Sequence, residues 1–249
     1  MANSCDLLVN GIAALRQGDK DIECLVAPRC KQIISLLDRY IKEIELFNPA
    51  YGLVGAVNTE ELIVKHILDS LAPLGIISRL MAECLLAEKT AEQPEAVLKI
   101  ADAGSGAGLP GIPLAITMPD IHFTLIERMG RRVGFLLNTK AVLSAKDNHG
   151  LSNITVEEGD FEQIVNEKTI AGKFSLVTFR AFKPLNPKLL KSLFKACRKG
   201  GKIAAYKGKR EKIEQEMAPL EKLCGSWEAI PCSVPFLDEE RHLLVISPA

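Results

Sequence analysis

Apolar residues recur along this chain with two periods, and the change from one to the other divides it. Over residues 29–47, Ile33, Leu37, Tyr40, Ile41 and Ile44 fall at i, i+4, i+7, i+8 and i+11, with Lys42, Glu43 and Glu45 between them, which predicts an amphipathic helix. The loop at 48–52 is expected to end it. Asn58 with Glu61 predicts the capped start of a second helix, carrying Leu62, Ile63, His66, Ile67 and Leu71 to a stop at Pro73. A third helix is predicted over residues 78–89, and the polar run 88–95 reads as a linker. Residues 1–28, punctuated by Gly11, Gly18 and Pro28, predict no more than one short helix.

From residue 97 onward, short apolar runs alternate with helical patterns. Runs at 97–102, 122–126, 154–156, 174–179 and 201–206 predict strands. Helices are predicted over 130–145, with Val133, Leu136, Leu137, Lys140 and Ala141 along one side, and over 184–197 and 211–223. Such alternation predicts a doubly wound α/β sheet, mostly parallel. The last two strands, 227–233 and 243–247, are joined by a loop of about seven residues, too short for a crossover helix, so they should be antiparallel. The expected organisation is a helical extension over 1–95 and an α/β core over 96–249, closed by that hairpin.

Between the first strand and the next apolar stretch lies Asp102-Ala103-Gly104-Ser105-Gly106-Ala107-Gly108-Leu109-Pro110-Gly111-Ile112-Pro113. Glycines let a backbone turn sharply and approach a ligand, Pro113 suits a first helical position, and the N–H groups of a helix start favour an anion. Two ligand classes fit. Gly106, Gly108 and Gly111 spell the dinucleotide fingerprint G-x-G-x-x-G, and Glu127 lies about 20 residues on, where an acid takes ribose hydroxyls. Gly104, Gly106 and Gly108 equally spell the G-x-G-x-G that methyltransferases place under S-adenosylmethionine, with the same Glu127 on the ribose. The closing hairpin favours the methyltransferase layout, and no Tyr-x-x-x-Lys arrangement marks a short-chain dehydrogenase.

Formal net charge is zero, yet residues 173–212 hold thirteen of the 31 Lys and Arg residues and one of the 31 acids, Glu211. That segment could meet nucleic acid phosphates. Within it, Lys207, Lys209 and Arg210 follow a strand end, on the edge where such sheets bind ligands, while Lys188, Lys191 and Lys195 form a helical stripe that fits either an RNA-facing ridge or an ordinary solvated face. Seven cysteines without a C-x-x-C pair and four scattered histidines predict reduced thiols and no metal. With no signal peptide and no apolar run of about 18 residues, a cytosolic protein is expected. On the second helix, His66 and Asp69 at i, i+3 and Ser70 at i+4 can share an edge; His66 and Asp69 are the catalytic candidates, although a structural histidine explains them as well.

Taken together, Lys65 to Leu71, Asp102 to Leu114, Arg131-Arg132-Val133-Gly134-Phe135-Leu136, Arg180-Ala181-Phe182, Tyr206-Lys207-Gly208 and Glu240-Arg241-His242 resemble the RsmG family, also called glucose-inhibited division protein B, over roughly residues 30–247. The resemblance implies a class I, Rossmann-like methyltransferase fold and transfer of a methyl group from S-adenosylmethionine to N7 of one guanine in the decoding region of 16S ribosomal RNA. It implies cofactor contacts from Gly104 and Leu109, a pair beside the adenine in Phe161 and Glu162, and a further cofactor-site residue in Arg180. Arg131, Arg132, Lys207, Lys209 and Arg210 are the RNA-binding candidates, and the expected partner is 16S rRNA or the small ribosomal subunit, bound by a monomer. An NAD(P)-dependent oxidoreductase and a non-catalytic RNA-binding or assembly protein are the alternatives. The chain departs from the family in Gly52-Leu53-Val54, in Glu127-Arg128 where an Asp-Ser is common, and in Asp160, which Arg128 could compensate.

Overall fold

A computed structural model describes residues 4–90, 98–144, 151–167 and 170–249 of the chain. Helices α1 (Ser4–Gly18) and α2 (Lys20–Val26) occupy the weakly patterned start, more helix than its sequence predicts. Asp19 explains the break between them, since its carboxylate accepts from the Asp21 and Ile22 N–H groups and starts α2. Helix α3 (Cys30–Tyr51) buries Ile33, Leu37, Tyr40, Ile41 and Ile44 as the spacing requires. It runs past the expected stop, because Pro49 is accommodated in its last turn and left-handed Gly52, at φ +58°, returns its N–H to the Asn48 carbonyl.

Asn58 caps α4 (Thr59–Leu62) by accepting from the Glu61 N–H, while the Glu61 carboxylate accepts from Val57. A π-helical stretch over Ile63–Leu68 leads into α5 (Asp69–Leu71), and α6 (Leu74–Thr90) begins directly after Pro73. The remainder of the expected linker, and the expected boundary between residues 95 and 96, lie outside the described residues.

The core alternates strand and helix: β1 (Lys99–Ala103), α7 (Gly111–Thr117), β2 (His122–Glu127), α8 (Gly130–Ser144), β3 (Ile154–Glu158), α9 (Phe161–Asn166), β4 (Phe174–Arg180), α10 (Pro187–Ala196), β5 (Cys197–Lys207), α11 (Arg210–Met217), β6 (Ser226–Pro231) and β7 (His242–Ser247). The sheet order is β3-β2-β1-β4-β5-β7-β6, parallel except for β7, which runs antiparallel to both β5 and β6. The expected parallel sheet with an antiparallel closing hairpin is what forms. Pro113 is the exception to the loop reading: α7 starts at Gly111 with Pro110 at its N-cap, so Pro113 is the third helical residue. On α8, Val133 and Leu136 are buried with Phe135, Thr139 and Leu143, whereas Leu137 is exposed. The stripe therefore continues by steps of three and four from Leu136, and Leu137 lies about 100° away from it. Ala145 is outside the described residues.

Strand side chains alternate between two apolar layers. Ile100, Phe123, Leu125, Leu176, Ala204 and Tyr206 join the layer that also holds α1 to α3 and α6, while Ala101, Ala103, Ile126, Val177, Phe179 and Ile203 join the layer under α9 to α11. The N-terminal helices thus share a core with one face of the sheet. Parallel registers such as Asp102↔Leu125, Ala101↔Val177 and Arg180↔Tyr206 align the C-terminal ends of β1, β2, β4 and β5 on one edge. Lys207↔His242 brings the loop before β7 to the same edge. Strand order reverses between β1 and β4, the place where open sheets of this kind bind ligands.

Candidate functional site

Two carboxylates organise the glycine loop. Glu127, buried at the end of β2, accepts from the Gly106 N–H at 2.9 Å and the Met129 N–H at 2.9 Å, and its carbonyl accepts from Gly159. Asp102, at the end of β1, accepts from the Gly111 N–H at 3.0 Å through Oδ2, while its buried Oδ1 has no partner. Burial pushes the Asp102 carboxyl up to about 7, against the pull of that N–H. The Ala107 carbonyl accepts from the Tyr40 hydroxyl at 2.6 Å, so α3 pins the loop from behind. Of the N–H groups expected to await an anion, those of Gly106 and Gly111 are committed to these two acids, and those of Gly104, Ser105, Gly108, Leu109 and Ile112 to backbone carbonyls. Gly104, at φ +71°, lets the ring of Phe182 lie where a Cβ would come within 2.2 Å of it.

A cavity of about 230 Å³ opens beside the loop, lined by Gly104, Glu127, Arg132, Asp160, Phe161 and Phe182 among others. Of the loop candidates, Gly104 faces it; Leu109 sends its side chain into the hydrophobic core. Phe161 is buried at the start of α9, where Asp160 caps the helix by accepting from the Glu162 and Gln163 N–H groups. Asp160 pairs with Lys183 at 3.6 Å rather than with exposed Arg128. Glu162 is held by Lys188 at 3.0 Å and Lys183 at 3.1 Å, and these two ammonium groups keep its carboxyl below the usual range.

A larger cavity of about 710 Å³ lies over the ends of β4 and β5, lined by Lys65, His66, Arg180, Phe182, Tyr206 and Arg241 among others. Its polar wall is one cluster. Asp69 receives Arg180 at 2.8 Å on one oxygen and Arg241 at 3.0 Å on the other. Arg180 also donates to His66 Nδ1 at 2.9 Å and to the Lys65 carbonyl. Burial and the Arg180 guanidinium lower the His66 imidazole to about 4, so it is a neutral acceptor. His66 and Asp69 therefore meet through Arg180, and Ser70 turns away to donate to the His66 carbonyl. Tyr206 donates to the Ser70 carbonyl at 2.8 Å, fastening this helix to β5. Arg241 also pairs with Glu239 at 2.9 Å, so the two guanidinium groups face two carboxylates, with Asp69 shared between them.

The RNA-binding candidates separate. Lys207 turns inward to Glu216 at 2.6 Å, and Arg210 pairs with Glu214 at 2.9 Å. Lys209 is exposed with no ion-pair partner among the described residues. Arg131 is exposed, whereas Arg132 faces the smaller cavity, with a buried Nε that lacks a partner. Lys188 and Lys195 on the α10 stripe hold Glu162 and Asn166. The sequence places Tyr40 only on an apolar helix face and Asp102 only at the head of the glycine loop, and it points to Phe182 and Arg241 only through the family resemblance. Each acts on a partner distant in sequence or on a backbone atom, so no local spacing betrays it.

Among the described residues, no helix is long and apolar enough to cross a membrane, and no group of three or more His, Cys, Asp or Glu side chains is placed to hold a metal. Compared with known families, residues 33–244 match the model of rRNA small subunit methyltransferase G. The chain belongs to that family. The ribosomal RNA small subunit methyltransferase G of Treponema denticola is 37% identical over 98% of this chain and 96% of its own length, and that of Cellvibrio japonicus 34% identical over 90% of each. Among solved structures, a putative caffeoyl-CoA O-methyltransferase from Staphylococcus aureus is similar with a TM-score of 0.50 at 13% identity, covering 83% of this chain and 91% of that one. That likeness concerns the fold alone, a class I methyltransferase fold with helices added at the N-terminus. As an rRNA small subunit methyltransferase G family member the chain is an enzyme whose cofactor is S-adenosylmethionine, which decides between the two ligand classes left open by the glycine spacing.

Proposed function

We propose that this chain methylates N7 of a single guanine in the decoding region of 16S ribosomal RNA, with the smaller cavity taking the nucleoside end of the cofactor and the larger one the base. The observation that carries this reading is the pair of acids under the loop. A dinucleotide pyrophosphate needs free N–H groups and a positive field, but the Gly106 and Gly111 N–H groups are taken by Glu127 and Asp102. That setting suits a ligand with no phosphate. Gly104 and Phe161 would hold the adenosine, with Glu127 near its ribose, and the Arg180 guanidinium in the larger cavity would receive the carboxylate of the amino-acid end. When bound, S-adenosylmethionine supplies a methyl group made electrophilic by its sulfonium.

Guanine N7 has a free lone pair, so no residue here has to remove a proton. That agrees with a site in which His66 is a neutral acceptor and both Asp69 and Glu162 are neutralised by two cations each. The protein's task is alignment, which can remove on the order of 7–11 kcal/mol of the barrier. Phe179, Phe182, Tyr206 and Pro184 give the larger cavity the apolar faces on which a splayed base stacks. Exposed Lys209 and Arg131 would meet backbone phosphates, and the chain would act as a monomer.

Labelled S-adenosylmethionine incubated with small ribosomal subunits lacking native methylation should yield N7-methylguanine at one decoding-region position. Label at another atom or another site would replace the substrate assignment. RNA binding without any incorporation, on subunits or on free RNA, would favour a non-catalytic assembly role.

A further inference from the structure

The two cavities have Ala181, Phe182 and Lys183 in common, the three residues that leave β4 after Arg180. The ring of Phe182 stands at the border itself. It packs edge-on against Phe161, which lines the smaller cavity, at 6.3 Å between centroids, and against Phe179, which lines the larger, at 6.2 Å. Between them it lies on Gly104, at the spot a side chain would need. Methyl transfer requires the base nitrogen to approach the sulfonium carbon in line: the lone pair forms the new N–C bond, the S–C pair remains on sulfur, and the positive charge passes to the base. No ring can stand between those atoms.

We infer that Phe182 is a gate between the two cavities, a positioning residue whose ring must leave Gly104 before donor and base can touch. The backbone just before the ring is strained. Ala181 sits at φ +49°, a left-handed conformation that L residues with a Cβ avoid, so the observed arrangement is held under strain by its surroundings. The restraint is visible. Lys183 Nζ lies 5.1 Å over the Phe182 ring and pairs with Glu162 and Asp160 at the start of α9. Rotation about Ala181 relieves the strain and carries the ring toward the larger cavity, where it becomes a wall for the base.

The inference rests on the cofactor and cavity assignments above, and its test separates the two. Trp227 is the only tryptophan of the chain, so a Trp227→Phe, Phe182→Trp double variant carries a single indole at the gate. Saturating S-adenosylhomocysteine, with saturation fixed by calorimetry, should shift its emission and change its quenching by acrylamide. Removal of the ring also removes the cost of opening, so Phe182→Ala should bind S-adenosylhomocysteine roughly fivefold more tightly, while kcat for methyl transfer falls and KM for RNA rises. Ala181→Gly relieves the strain of the closed position and should weaken S-adenosylhomocysteine binding by a few-fold without lowering the melting temperature. An indole signal that stays constant through saturation overturns the gate, as does weaker binding by Phe182→Ala, the result of a merely structural ring. If the unsubstituted chain binds no S-adenosylhomocysteine at all, the cofactor assignment fails first and the gate with it.

Discussion

Asp102 keeps its proton to about pH 7 because it is wholly buried. An unfolded aspartate releases its proton near pH 4. Between about pH 4 and pH 7 the unfolded chain has lost this proton while the folded chain holds it, so the Asp102 contribution to stability declines as pH rises through that window. Urea unfolding of the native chain and of Asp102→Asn at pH 5 and pH 7.5 should show the native chain losing more, relative to the variant, at the higher pH; parallel curves would mean that the carboxyl is ionised throughout. His66 acts in the opposite sense. Its imidazole is lowered to about 4, so its contribution is lost as pH falls from the ordinary histidine range near 6.5 toward 4. Both acids at the strand ends were legible as residues, since each closes an apolar run, but their burial was not. That property goes with partners farther along the chain, Gly111 at the start of α7 for Asp102, nine residues away, and Gly106 in the loop for Glu127, 21 residues away.

At the scale of elements, the parallel strands were the most legible part of the chain. A strand buried on both faces is a continuous apolar run, and Asp102, Glu127 and Arg180 mark where three such runs meet the sheet edge. The helices were less so. The prolines at 49, 110 and 113 carry opposite meanings according to the turn they occupy, and only geometry assigns it. The Lys207–Arg210 stretch shows a similar limit, because identical charges there serve different ends. Lys207 is half-buried against Glu216 and 5.8 Å over the Phe179 ring, whereas the exposed Lys209 side chain has no ion-pair partner among the described residues. Lys209→Ala should reduce the slope of log affinity for rRNA against log salt by about 1 and leave stability unaltered. Lys207→Ala should instead lower the melting temperature, since it strands Glu216 in a half-buried site. The two measurements exchange places if the loop turns Lys207 outward and Lys209 in.

On the scale of the whole molecule, the helical layer and the sheet are one packed body on the loop side. Leu8, Ile12, Ile33, Leu37, Leu68 and Ile77 belong to the same apolar cluster as Ile100, Ile112, Phe123 and Leu136. Two tyrosine hydroxyls fasten that body at the functional edge, Tyr40 to the Ala107 carbonyl and Tyr206 to the Ser70 carbonyl. The Tyr40 link joins residues 67 positions apart. It follows that α3 can report on a ligand it never touches. Opening the middle of α3 breaks the Tyr40 hydrogen bond to the loop, so S-adenosylhomocysteine bound against that loop should slow the exchange of those amide hydrogens with deuterated water. Tyr40→Phe should erase that slowing in α3 while leaving it in β1, and equal protection with and without the hydroxyl would mean that the coupling runs through packing alone. Occupancy of the cofactor site would then be readable as a quiet change in a helix on the opposite side of the loop.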